Sequence, residues 1–304
     1  MDIEPTVGVE NHEDEVPTQY VEPEQLSIKD EEVLLKEGLV SNIRPIEHLS
    51  QPVSTHADQV FVGDIDKHAD QIFEAEIVLP DGKKLLAVFK PNSGTNKGTE
   101  TGKKPVPIPE NSSPNGHKEV AAWQVAQFLG LEYISMPVVL RSLDESEGEG
   151  SLRPYIYGKP VDQLSADETD QAYSDQPTIE SIALYDYLLQ TMDRRDANLV
   201  WEKEIEGKRQ MKVIDHTLTF LNEDFTKNFN GKDMGPRLMV GYDNSKDPPI
   251  LKNTPLPDRL VKKLQLFTEN EADIRTQLSS LLNTDEIEGL FTRVAKCLET
   301  KTFL

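Results

Sequence analysis

Two carboxylates and one amide carry the most specific chemistry in this sequence. Asp193 and Asn198 stand five positions apart in Gln190-Thr191-Met192-Asp193-Arg194-Arg195-Asp196-Ala197-Asn198, where a helical pattern breaks into polar residues. Asp215 closes a short apolar run, Met211-Lys212-Val213-Ile214, and so stands where a strand stops. One carboxylate to orient an attacking group, with an amide oxygen and a second carboxylate to hold Mg2+ against nucleotide phosphates, are the parts of a phosphoryl-transfer site. Singly, Asp and Asn at such places are ordinary capping and turn residues.

Two further residues fit the same chemistry. The segments 72–79 and 85–89 read as strands joined by the hairpin turn Pro80-Asp81-Gly82. The second strand delivers Lys90 directly before Pro91, where a lysine fixes a phosphate as a point charge. A surface lysine at a strand end is the plainer alternative. A helix is expected over 118–129, with Ala122, Val125, Ala126 and Leu129 on one face and Gly130 closing it. Glu119 then falls in its first turn, where it either favours the helix dipole or braces Lys90. Between strand and helix, 92–116 is rich in Gly, Pro, Ser, Thr and Asn and holds Lys97, Lys103 and Lys104. It matches no strict glycine-rich phosphate motif.

The elements that must position these residues follow in order. Residues 1–25 contain no Lys or Arg and read as a disordered acidic tail. A short helix over 27–37 stops at Gly38. His56-Ala57-Asp58-Gln59-Val60-Phe61 recurs as His68-Ala69-Asp70-Gln71-Ile72-Phe73. Each copy reads as a polar turn entering a strand, in preference to a metal site. Segments 136–140 and 152–156 add two strands, for five in all, and Tyr157-Gly158-Lys159-Pro160 reads as a hinge. A polar connection over 161–176 precedes a helix over 178–189, which delivers Asp193 and Asn198. Residues 222–254 read as a long surface loop. Three amphipathic stripes then close the chain, at Leu260, Val261, Leu264 and Phe267, at Ile274, Leu278, Leu281 and Leu282, and from Ile287 to Leu298.

Composition narrows the partners. The chain has 304 residues, 54 acidic against 32 basic, and a net charge of −22. That balance disfavours nucleic acid, whose affinity comes from phosphate neutralisation, and anionic membranes, which attract basic segments. Cys297 is the single cysteine, so no internal disulfide forms and no Cys-rich metal site exists. Neither a signal peptide nor a bilayer-spanning apolar run stands out, and the expectation is a soluble cytoplasmic protein without a transmembrane segment.

With these parts in order, the chain resembles the phosphatidylinositol 3-/4-kinase-like group of the protein-kinase-like fold, and especially its small bacterial members. The resemblance rests on Ala87-Val88-Phe89-Lys90-Pro91, Lys118-Glu119-Val120-Ala121-Ala122-Trp123, Asp193-Arg194-Arg195-Asp196-Ala197-Asn198 and Ile214-Asp215-His216-Thr217-Leu218-Thr219-Phe220. It covers residue 43 to the C-terminus. It implies an α+β, bilobal protein-kinase-like fold, with an antiparallel sheet and one helix in an N-lobe over 26–157 and a mainly helical C-lobe over 158–304. It further implies ATP and Mg2+ as cofactors. Lys90 would contact the phosphates and Glu119 would brace it. Ile156 and Tyr157 would line the adenine pocket, Asp193 would be the catalytic carboxylate, and Asn198 and Asp215 would hold the metal.

Two departures from the group stand out. Arg195 replaces a usual His and, staying protonated, suits charge stabilisation better than proton abstraction. Thr217 stands where Gly is common. The expected activity is phosphotransfer to a protein or soluble acceptor. The alternatives are a phosphoinositide lipid kinase, a nucleotidyl transferase on the same fold, and an inactive kinase-like binding module.

Overall fold

A computed structural model describes residues 27–45, 60–61, 72–79, 81–92, 111–143, 148–191, 194, 196–202, 209–220, 251 and 253–303. The acidic tail, the histidine-containing turns at 56–59 and 68–71, most of the two long loops, and Asp193 and Arg195 lie outside these residues.

The N-terminal half is organised by strand alternation. β3 (Phe73–Val78) and β4 (Lys84–Pro91) form the expected hairpin, with Gly82 at φ +83 in the turn. Side chains of successive strand residues point to opposite faces. Phe73, Ala75, Ile77, Leu85, Ala87 and Phe89 therefore share one face and build a small apolar core with Leu35, Val139 and Leu152. The same alternation sends Glu74, Glu76, Leu86, Val88 and Lys90 to the other face.

The sheet is completed by β1 (Leu39–Pro45), β5 (Val139–Ser142) and β6 (Glu149–Pro154), in the antiparallel order β1-β3-β4-β6-β5. Four of these strands overlap expected ones, while β1 takes the place of the strand expected at Val60-Phe61, which pairs in a second sheet. Helix α1 (Ile28–Glu37) covers this core through Leu35. Ser27 caps its start, and Arg141 donates to the carbonyls of Leu35, Lys36 and Gly38 at 2.7–2.8 Å, satisfying its end.

A second sheet takes the order β2-β7-β8-β9, from β2 (Val60–Phe61), β7 (Ile156–Pro160), β8 (Leu199–Glu202) and β9 (Met211–Val213). The segment expected as a hinge is thus a strand: β7 pairs with β2 through Ile156 and Tyr157 and with β8 through Gly158, Lys159 and Pro160. Its first two residues are tied to one neighbour and its last three to the other, so pairing runs the length of the segment.

The larger core joins this sheet to the helices. α2 (Asn115–Phe128) is buried along most of its length, and α4 (Gln176–Leu189) buries eleven of its fourteen residues. α3 (Ala166–Ala172) lies in the segment read as a polar connection, and a capping box between Ser165 and Glu168 starts it. The C-terminal stripes fold as α5 (Asp258–Glu269), α6 (Glu271–Leu278) and α7 (Thr284–Thr300). Their apolar faces pack on α2 and α4 through Leu260, Leu264, Phe267, Ile274, Leu278, Leu290 and Val294. The architecture is mixed α+β, an antiparallel sheet followed by a helical C-terminal region. No helix among the described residues is long and apolar enough to cross a membrane.

Candidate functional site

The polar face of the first sheet meets the end of the β8–β9 hairpin, and there Lys90, Glu119 and Asp215 come together. Lys90 lies within β4, pairs with Ser151, and points away from the small core. Its ammonium lies 3.2 Å from Asp215 Oδ1 and 3.7 Å from Glu119 Oε1. These three residues come from a strand, a helix and the turn after a strand, and Lys90 and Asp215 are 125 positions apart. Local chain geometry does not make such a cluster; the tertiary fold does.

Glu119 is not a first-turn residue. α2 begins at Asn115, so Glu119 lies beyond the orphan amides that give the dipole its charge, and the first turn holds no acidic residue. The helix starts earlier than its apolar pattern indicates because Asn92 Oδ1 accepts from the Gly116 N–H at 2.9 Å. Of the two readings of Glu119, the brace on Lys90 is the one with a contact. Burial raises its pKa, Lys90 pulls it back down, and Asp215 pushes it up again.

Asp215 sits at φ +57, a left-handed conformation that Asp tolerates better than most residues. Burial by itself would raise its pKa. The Lys90 ammonium and a 2.8 Å hydrogen bond donated by Thr217 Oγ1 outweigh burial and hold the carboxyl well below its usual range. Thr217, where the resembled group tends to have Gly, thus supplies a donor to the carboxylate. Asn198 is buried at the facing end of the hairpin. Leu199 pairs with Val213, and the Ile214 N–H donates to the Asn198 carbonyl at 3.1 Å, so Asn198 and Asp215 share one end of the ladder.

What holds that end is Arg194, a residue absent from the sequence-derived site. It is completely buried. Nε and Nη2 donate to both carboxylate oxygens of Asp186 on α4 at 3.0–3.2 Å. Nη1 donates to the carbonyls of Asn198 at 3.0 Å and Ile214 at 2.7 Å. Guanidinium only donates, so His216 Nδ1, 3.4 Å from Nη2, is the acceptor, and its proton sits on Nε2. Burial, and then the Arg194 charge, push the His216 pKa well down, so the ring is neutral; it packs edge-on against Tyr185 at 5.5 Å. Tyr173, the C-cap of α3, donates to Asp196 at 2.9 Å and ties down the same loop. The signal for Arg194 was in the sequence: an arginine beside a catalytic-type Asp, eight residues after an Asp on an apolar helix.

Arg153 was also missed. It pairs with Val88 across the sheet and is buried on the Lys90 face, close enough to affect the charges of Glu119 and Asp215. Ile156 belongs to the larger core and Tyr157 is half-buried, both on the part of β7 that pairs with β2. Among the described residues, no group of three or more His, Cys, Asp or Glu is arranged as a metal cage. Asn198 and Asp215 could offer an amide and a carboxylate oxygen to a cation, and Asp215 Oδ1 is paired with the Lys90 ammonium in this structure.

No family model and no curated protein matches this sequence. Among solved structures, the chain is similar to the Helicobacter pylori proinflammatory kinase CtkA, with a TM-score of 0.40 and 10% sequence identity, over 83% of this chain and 96% of that one.

Proposed function

We propose that the chain is an ATP- and Mg2+-dependent phosphotransferase related to the phosphatidylinositol 3-/4-kinase-like group. The observation that carries this reading is Lys90 held between Glu119 and Asp215 at 3.7 and 3.2 Å, three residues brought from distant parts of the chain. Lys90 would turn from Asp215 to the nucleotide phosphates while Glu119 keeps its ammonium in the cleft. Asp215 and the Asn198 side chain would hold Mg2+, which neutralises phosphate charge when bound. Asp193, five residues before Asn198, would accept the proton of the attacking hydroxyl. Arg195 would stabilise charge on the transferred group, since a guanidinium remains protonated. Ile156 and Tyr157 on β7 would border the adenine. Catalysis on this scheme is positioning and charge neutralisation, with no covalent intermediate on the protein.

The acceptor is proposed to be a protein or soluble molecule, because the net charge of −22 opposes approach to anionic lipid surfaces. Incubation with ATP labelled at the γ-phosphate and, separately, at the α-phosphate tests the reading. γ-label transferred to an acceptor supports phosphotransfer, α-label retained on the product supports nucleotidyl transfer, and no Mg2+-dependent transfer or binding overturns both.

A further inference from the structure

The helix that carries Glu119 bears a second buried charge, one that the proposed chemistry does not use. Lys118 is fully buried, and its ammonium lies 3.7 Å from Glu286 Oε1 on α7. Neighbouring helix positions point about 100° apart, so α2 presents Glu119 to Lys90 on one side and Lys118 to the C-terminal helix on another.

Glu286 is more than a cap. As the third residue of α7 it completes a capping box with Asn283, accepting from the Asn283 N–H at 3.1 Å. A capping box needs no other contact. Glu286 nevertheless accepts from Ser112 Oγ at 3.2 Å, from the Ser113 N–H at 3.1 Å and from Ser113 Oγ. Asn283 in turn donates to the Asn111 carbonyl at 2.7 Å and to Ser113 Oγ at 3.0 Å. One buried carboxylate thus joins the start of α7 to the segment leading into α2 and to α2 itself.

We propose that Lys118 and Glu286 are positioning residues: their ion pair fixes the rotation of α2 and so holds Glu119 against Lys90. A buried ammonium is tolerated only opposite its counter-charge. Any rotation of α2 that withdraws Glu119 from Lys90 also withdraws Lys118 from Glu286 and strands a charge in the core. The two ion pairs are therefore coupled through one rigid helix. Burial pushes the Lys118 pKa down and Glu286 draws it back up, in line with a pair that stands or falls together. The consequence for nucleotide binding rests on the function proposed above; the coupling itself does not.

The test uses the full chain and needs no nucleotide. Lys90, whose side chain is 12% exposed, is acetylated with an amine-reactive ester and its rate read by peptide mass spectrometry against exposed Lys83. Lys118→Met keeps an unbranched side chain one atom shorter and without the charge, leaves Glu286 its other donors and is expected to fold; Glu286→Gln retains the capping acceptor. Each is expected to speed Lys90 acetylation roughly two- to tenfold, the lower part of the range for residues in one network, and the double variant no further. Glu119→Gln is expected to speed it too, with no added effect of Lys118→Met. An unchanged Lys90 rate in folded Lys118→Met, or additive effects of Lys118→Met and Glu119→Gln, overturns the proposal. If wild type binds no Mg2+–nucleotide, the phosphotransferase reading fails while the acetylation result still decides the coupling.

Discussion

Asp186→Asn isolates what Arg194 contributes. Three guanidinium N–H contacts at 3.0–3.2 Å reach the Asp186 carboxylate, and both side chains are essentially without solvent contact. Asparagine keeps one acceptor oxygen, turns an NH2 donor toward a group that only donates, and leaves a full positive charge in the core. Removing one partner of a buried pair costs about 3–5 kcal/mol. At about 2–4 °C per kcal/mol for a chain approaching this size, the melting temperature should fall by on the order of 10 °C. Arg275–Glu288 is the control, a pair with side chains 30% and 57% exposed, where Glu288→Gln should cost about 0–1 kcal/mol. Urea and thermal unfolding followed by circular dichroism measure both. Equal losses in the two variants, or an Asp186→Asn loss under about 1 kcal/mol, would refute the assignment of Arg194 as the fastener of the Asn198–Asp215 end.

Three further outcomes are expected. A Cβ added at Gly150 would land on the backbone of Lys90, so Gly150→Ala should destabilise the sheet by about 1–3 kcal/mol in denaturant titrations, the overpacking range. Asp215 is held below its ordinary pKa of 3.8, so its ionised form stabilises the fold above that pH and the contribution fades as pH falls below it. The stability difference between wild type and Asp215→Asn should accordingly be full at pH 6 and shrink through pH 3. Cys297 is buried with its thiol pushed up to about 12, so a disulfide reagent should label it slowly in the native chain and promptly in denaturant.

Much of the fold was legible because it obeys local rules. The Phe73-Glu74-Ala75-Glu76-Ile77 alternation, the Asp81-Gly82 turn and the 3.6-residue stripes of the last three helices each carry their own periodicity. The second sheet is legible only in pieces: Val60-Phe61 and residues 211–214 read as strand, whereas β8 has four residues, too few to show a period, and residues 157–160 read as a hinge. α3 was missed although Ser165 and Glu168 spell a capping box, because the segment is polar almost throughout. Lys90, Glu119, Asn198 and Asp215 stand out by type and order, and the fold brings Lys90, Glu119 and Asp215 into contact. Arg194 and Arg153 are absent from the sequence-derived site: Arg194 carries one cue, Asp186 eight positions earlier on an apolar helix, and Arg153 carries none, since its burial is set by the partners that tertiary packing supplies.

The central claim is that Lys90, Glu119, Asn198 and Asp215 form one Mg2+–nucleotide site. Calorimetric titration of a non-hydrolysable ATP analogue into the full chain, with and without Mg2+, compares wild type with Asp215→Asn. Saturable binding that requires Mg2+ in wild type and is lost in the variant is the expected result. Binding of equal strength in both proteins, or none in wild type, would contradict the account.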